Sequence, residues 1–126
     1  MLGVNAVYPS LDIDPAHPVV DVPWLAQRVG APGLLVLDAS VPPYGPAGVR
    51  VPGARRFDLE GAMSDHAARL PHAMVGADAF EAEARRLGAR EGGAMVVYDT
   101  ADLFSAPRAW WMFVAMGYER VAVLDG

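Results

Sequence analysis

The chain has 126 residues and a formal net charge of -5, and all ten of its basic residues are arginine. Those arginines are scattered apart from Arg55-Arg56 and Arg85-Arg86, so no phosphate-tracking stripe forms and the composition argues against a nucleic-acid partner. Hydrophobic residues make up 53% of a chain without cysteine, which describes a compact globular protein with no disulfide framework, no thiolate metal site and no thiol redox chemistry of its own.

Residues 1–18 carry Pro9, Pro15 and Pro18 among small and acidic side chains, and are expected to form an irregular lead-in to one domain over residues 19–126. Met1 to Ser10 lacks the basic end and apolar core of a signal peptide. No apolar run approaches the ~18 residues of a membrane span, so a soluble, cytoplasmic protein is expected. Val19-Val20 reads as a short edge strand. Asp21 then stands where a helix N-cap belongs, with Pro23 in the first turn, Trp24, Leu25 and Val29 on one apolar face, and Gly30 as the stop. Leu34 to Leu37, ending in Asp38, is too short for a helix and apolar on both faces, which suits a buried parallel strand.

Residues 41–53 are crowded with Pro and Gly and predict a loop leading to a third strand, Ala54 to Phe57, that ends at Asp58. From Glu60 to Val75 the pattern is irregular, and Ser64, Asp65, His66 and His72 gather there in a segment able to wrap over a strand end. Ala77 to Leu87 places Phe80, Ala84 and Leu87 at helical spacing, with Arg85 and Arg86 near the carboxyl end and Gly88 as the stop. Ala94 to Tyr98 predicts another buried strand, Ser105 to Met116 a helix stopped by Gly117, and Arg120 to Leu124 a last strand. The expected fold class is α/β: a mostly parallel sheet of about five strands with helices on both faces and right-handed crossovers. The sequence stops at Gly126 directly after a strand, so the domain is expected to be truncated, lacking a covering helix at its carboxyl end.

The run from Met95 to Phe113 carries the chemistry-bearing pattern: an apolar strand, a polar turn from Asp99 to Asp102, then an apolar helix. Parallel α/β sheets place ligands at the carboxyl ends of their strands, yet the nucleophilic cysteine such a loop would suit is absent. His66 and His72 are six residues apart in a loop without a third ligand, so no metal is expected. No Gly-rich fingerprint follows any strand, which disfavours a nucleotide binder, and no cofactor is expected.

Val22-Pro-Trp-Leu-Ala26, Val36-Leu-Asp-Ala-Ser40, Val51-Pro-Gly-Ala54, Phe57-Asp-Leu-Glu60, Ser64-Asp65 with His72, Val96-Val-Tyr-Asp99 and Leu103-Phe-Ser-Ala-Pro-Arg-Ala-Trp-Trp-Met-Phe113 together resemble the amino-terminal half of tandem-rhodanese sulfurtransferases, which use thiosulfate or 3-mercaptopyruvate. The resemblance runs from about Val19 to Gly126 and implies a rhodanese-like domain of the amino-terminal type. It further implies that the cysteine accepting a sulfane sulfur as a persulfide belongs to a second rhodanese domain, in cis or in trans, while the matching position here is Asp99. A cradle of backbone N–H groups at a helix amino terminus would lower a thiol's pKa; a carboxylate can satisfy the same cradle but cannot carry a transferable sulfur.

The resemblance also implies a base and its orienter, carried onto His72 and Glu60, facing the cleft between domains and relaying a proton. One extra residue lies between Glu60 and Ser64 relative to the family pattern, and Val49-Arg50-Val51 stands where the family has Gly-His before Pro-Gly-Ala. His72 can equally be a loop histidine bonded to backbone. Asp99 can be an ordinary strand-end or cap residue. Arg108 either binds a small sulfur-containing anion or pairs with Asp99 or Asp102. Trp110, Trp111 and Phe113 suit core or interdomain packing.

The expected function is thus one half of a sulfurtransferase, inactive alone, with a non-catalytic rhodanese-like binding or regulatory module as the alternative.

Overall fold

The structure is a computed structural model and describes residues 8–40, 51–57, 75–90, 92–100 and 105–125. Among the described residues the chain forms five strands and three helices in the order β1 (Val19–Asp21), α1 (Val22–Ala26), β2 (Leu34–Asp38), β3 (Arg55–Arg56), α2 (Ala77–Leu87), β4 (Ala94–Tyr98), α3 (Ser105–Ala115) and β5 (Val121–Asp125). The sheet is parallel throughout, in the order β1-β5-β4-β2-β3.

Alternation along each strand splits the core into two layers, because successive side chains in a strand point to opposite faces. Leu37, Met95, Val97 and Val121 face α2 and α3, where they meet Phe80, Ala84, Leu87, Ala109, Met112 and Phe113. Val36, Ala94, Val96, Ala122 and Leu124 face the other way, against Leu25 of α1, Ile13 of the lead-in and Val20. β4 is buried on both faces along its whole length, as its uninterrupted apolar sequence demands. Among the described residues helices lie on both faces, but unequally: two eleven-residue helices on one, a five-residue helix and an extended segment on the other.

Local chemistry explains the helix bounds. Asp21 accepts a hydrogen bond from the Trp24 amide at 2.8 Å and caps α1, whose early end at Ala26 falls short of the expected stop at Gly30. Beyond Ala26 the chain turns through hydrogen bonds from Arg28 N and Val29 N to Leu25 O, and the Arg28 guanidinium stacks over Trp24 at 4.2 Å while donating to Ser10 O. Gly88 ends α2 with φ of 104°, a left-handed conformation that favours glycine.

The third strand is shorter than the expected Ala54 to Phe57. Only Arg55–Arg56 pair with β2; the Phe57 amide still donates to Asp38 O at 2.8 Å, while its side chain enters the core, fully buried against Phe113 at 5.4 Å between ring centroids. The last strand is shifted one residue later than expected, and α3 ends at Ala115 rather than Met116. No helix among the described residues is long and apolar enough to cross a membrane.

Candidate functional site at the carboxyl ends of β2 and β4

β2 and β4 are neighbours, with Asp38 opposite Tyr98 at their carboxyl ends. From there the chain diverges: after β2 it proceeds outward to β3, and after β4 it proceeds through α3 to β5 on the other side. Such a divergence opens a crevice between adjacent strand ends, the place where open α/β sheets bind ligands.

Asp99 stands at the mouth of this crevice. Its Oδ2 accepts a hydrogen bond from the Ala106 amide at 2.8 Å, in the first turn of α3. A carboxylate seated there satisfies one of the helix's orphan amides and meets the positive end of its dipole. The Asp99 carboxylate thus meets one amide at the start of α3.

The base of the loop is fixed by hydroxyl groups that the sequence reading did not single out. Ser40, 2% exposed, accepts from the Thr100 amide at 3.1 Å and shares a 3.1 Å bond with the Thr100 hydroxyl. Its own amide donates to Asp38 Oδ1 at 2.9 Å, while the Ala39 amide donates to Tyr98 O. The Tyr98 hydroxyl accepts from the Val51 amide at 3.0 Å, tying the segment before β3 to the same strand end. Ser105, the first residue of α3, is 1% exposed. The signal that could have found these groups is the placement of small hydroxyl residues directly after strand ends, in Asp38-Ala39-Ser40 and Asp99-Thr100.

Arg108 lies one turn into α3 with its guanidinium carbon 4.9 Å from the centre of the Trp111 ring. Trp111 is 47% exposed and so is no core residue, whereas Trp110 is half-buried and Phe113 is fully buried. The other expected site residues, His72 and Glu60, lie outside the described residues, as do His66, Ser64, Asp65 and Asp102. Among the described residues no group of three His, Cys, Asp or Glu is placed to hold a metal ion. With no cysteine in the chain, the crevice holds the Asp99 carboxylate on the Ala106 amide but has no thiol to form a persulfide.

No family model matches the chain. It is 38% identical over 116 residues to the 3-mercaptopyruvate sulfurtransferase of Escherichia coli K12, covering 85% of this chain and 41% of that protein. The mitochondrial thiosulfate/3-mercaptopyruvate sulfurtransferase 1 of Arabidopsis thaliana is 39% identical over 132 residues, covering 97% of this chain and 34% of its own length. Among solved structures, Escherichia coli SseA, a 3-mercaptopyruvate sulfotransferase with the rhodanese fold, superposes with a TM-score of 0.74 at 35% identity, over 86% of this chain and 45% of that one. The chain thus spans less than half the length of these relatives.

Proposed function

The chain belongs to the thiosulfate/3-mercaptopyruvate sulfurtransferase family as a rhodanese domain, and from that premise we propose that it is the amino-terminal, non-nucleophilic half of such an enzyme. The complete protein moves sulfane sulfur from 3-mercaptopyruvate or thiosulfate to a thiophilic acceptor. The observation that carries this reading is Asp99: it occupies the loop at the carboxyl end of β4, held on the Ala106 amide, in a chain with no cysteine.

The chemistry divides between the halves. With 3-mercaptopyruvate, a cysteine thiolate of the second domain attacks the donor sulfur and forms the S–S bond of a persulfide. The C–S bond breaks, its electron pair passes to the three-carbon fragment as an enolate, and that enolate collects a proton to become pyruvate. This chain contributes a wall of the cleft and the proton relay. His72, oriented by Glu60, moves the proton, and Arg108 orients the anionic donor. Asp99 itself performs no covalent step.

The isolated chain is expected to transfer no sulfur from thiosulfate to cyanide, and measurable turnover without a cysteine-bearing partner would overturn the reading. In a complete two-domain protein, His72→Ala is expected to slow 3-mercaptopyruvate turnover by about 10²-fold or more, the usual worth of a positioned acid–base group. Equal rates for variant and parent would remove His72 from the relay.

A further inference from the structure

β3 pairs with β2 at Leu37 and Asp38 alone, so among the described residues the first half of β2 has no strand beside it on that edge. The space left open is a groove of approximately 850 Å³ at the amino-terminal ends of β2 and β4, at the opposite end of the sheet from Asp99 and Ser40. The five residues of β2 separate the two ends by about 16 Å, at about 3.3 Å per residue. Half-buried Leu34 and Leu35 line the groove, with Pro52 and Gly53 from the segment before β3 and Gly88 and Arg90 from the end of α2. A Cβ on Gly53 would meet nothing within 4 Å, so the backbone there is open to a ligand. The volume falls within the about 300–1,000 Å³ of sites that take small organic molecules.

The charge of the groove is opposite to that of the chain. Arg55 and Arg90 line it and no described Asp or Glu does, in a protein of net charge -5. Most other described arginines are engaged: Arg85 and Arg86 each take a glutamate, Arg28 and Arg120 donate to backbone carbonyls, and Arg108 stacks on Trp111. The guanidinium groups of Arg55, Arg56 and Arg90 have no partner among the described residues. Arg55 is in register with Leu37 and shares its side of the sheet, whereas Arg56 is in register with Asp38, on the opposite side, and does not line the groove. The end of α2 does not offset the two cations, because the Gly88 and Ala89 amides close onto Arg85 O and Ala84 O. We propose that the groove binds a small organic dianion, a phosphate ester or a dicarboxylate, with its charged groups on Arg55 and Arg90 and its carbon body on Leu34 and Leu35. The planar fork of a guanidinium matches both carboxylate and phosphate oxygens. The site shares none of its lining residues with the crevice at the other end of the sheet, and it stands apart from the half-enzyme reading.

The test titrates the chain with phenyl phosphate and, separately, with succinate, followed by calorimetry in about 50 mM NaCl, where screening is modest. Binding of at least one is expected with a Kd below about 1 mM. Arg55→Ala and Arg90→Ala, both at exposed positions and checked for folding by circular dichroism, should each weaken it about tenfold or more. Arg55→Lys keeps the charge without the fork and should fall between. Arg56→Ala removes the same charge one residue away and should leave binding unchanged. Tighter binding of phenyl phosphate identifies a phosphate ester as the ligand class and tighter binding of succinate a dicarboxylate; either supports the site. No binding of either probe at about 10 mM overturns it. So does binding that survives both Arg55→Ala and Arg90→Ala, which places the anion elsewhere, and so does an equal loss with Arg56→Ala, which reduces the effect to attraction by surface charge.

Discussion

Asp99 is an anion that the protein supplies to its own helix terminus. Removing it with Asp99→Ala strands the Ala106 amide and deletes a favourable charge, and is expected to cost about 1–2 kcal/mol in a denaturant melt. Asp99→Asn should recover the hydrogen bond but not the charge, and fall between the two. The more telling variant is Asp99→Cys. If the amide environment of α3 favours anions as the bond to Oδ2 indicates, the new thiol titrates below the ordinary value of about 8.5, read from the pH dependence of its alkylation rate. A thiol at or above that value would show that the carboxylate, not the backbone, supplies the favourable geometry. Either outcome separates what the scaffold offers from what the residue at its mouth can do.

At the scale of the element, β1 and α3 depend on one another through a missing donor. In the parallel ladder the register Val19 to Val123 lets the Val123 amide donate to Pro18 O, and two residues earlier Val121 O would accept from the amide of residue 18. Proline has no such amide, so the ladder stops. The Trp110 indole donates to Val121 O at 3.1 Å in its place. Trp110→Phe keeps the apolar bulk and loses the donor; a destabilisation of about 1–2 kcal/mol is expected, with amide exchange faster in β5 and unchanged in β2. On α2, the hydrogen bond from Arg86 holds the Glu83 carboxyl below its ordinary range. Because the folded value is the lower one, the stabilisation is fully present above the unfolded pKa of about 4.3 and is lost as pH falls through the folded value. Glu83→Gln should therefore flatten the acid side of the stability–pH curve below about pH 4.3 and leave its shape at neutral pH unaltered; an unchanged acid limb would show the pair to be inconsequential.

Over the whole molecule, the larger core layer is organised around Phe113, whose ring lies 5.1 Å from Phe80, 5.2 Å from Tyr118 and 5.4 Å from Phe57. It joins both long helices, the exit from β3 and the turn before β5, so Phe113→Ala is expected to cost about 3–5 kcal/mol in a single cooperative transition. A loss below about 1 kcal/mol would mean the layer repacks. Much of this architecture was legible in the sequence. The bounds of α2 and β4 follow from a periodic apolar face closed by Gly88 and from an apolar run too short for a helix. β3 was legible as a strand over Ala54 to Phe57 but not in its extent, since only Arg55–Arg56 pair with β2. At the site, Asp99 was legible because the strand–loop–helix pattern is contiguous in sequence. Ser40 was not, because its partner Thr100 is 60 residues away and only the order of strands makes them neighbours. The sequence by itself determined the alternating elements, the rhodanese resemblance and the absence of a sulfur-carrying nucleophile, since periodicity, motif and composition are local or countable. Tertiary structure alone decided that Asp99 is bound to the α3 terminus and that Ser40 holds Thr100. Each of these depends on which faces and strand ends the packing brings together, a choice made by the burial of distant apolar surface rather than by any neighbouring residue.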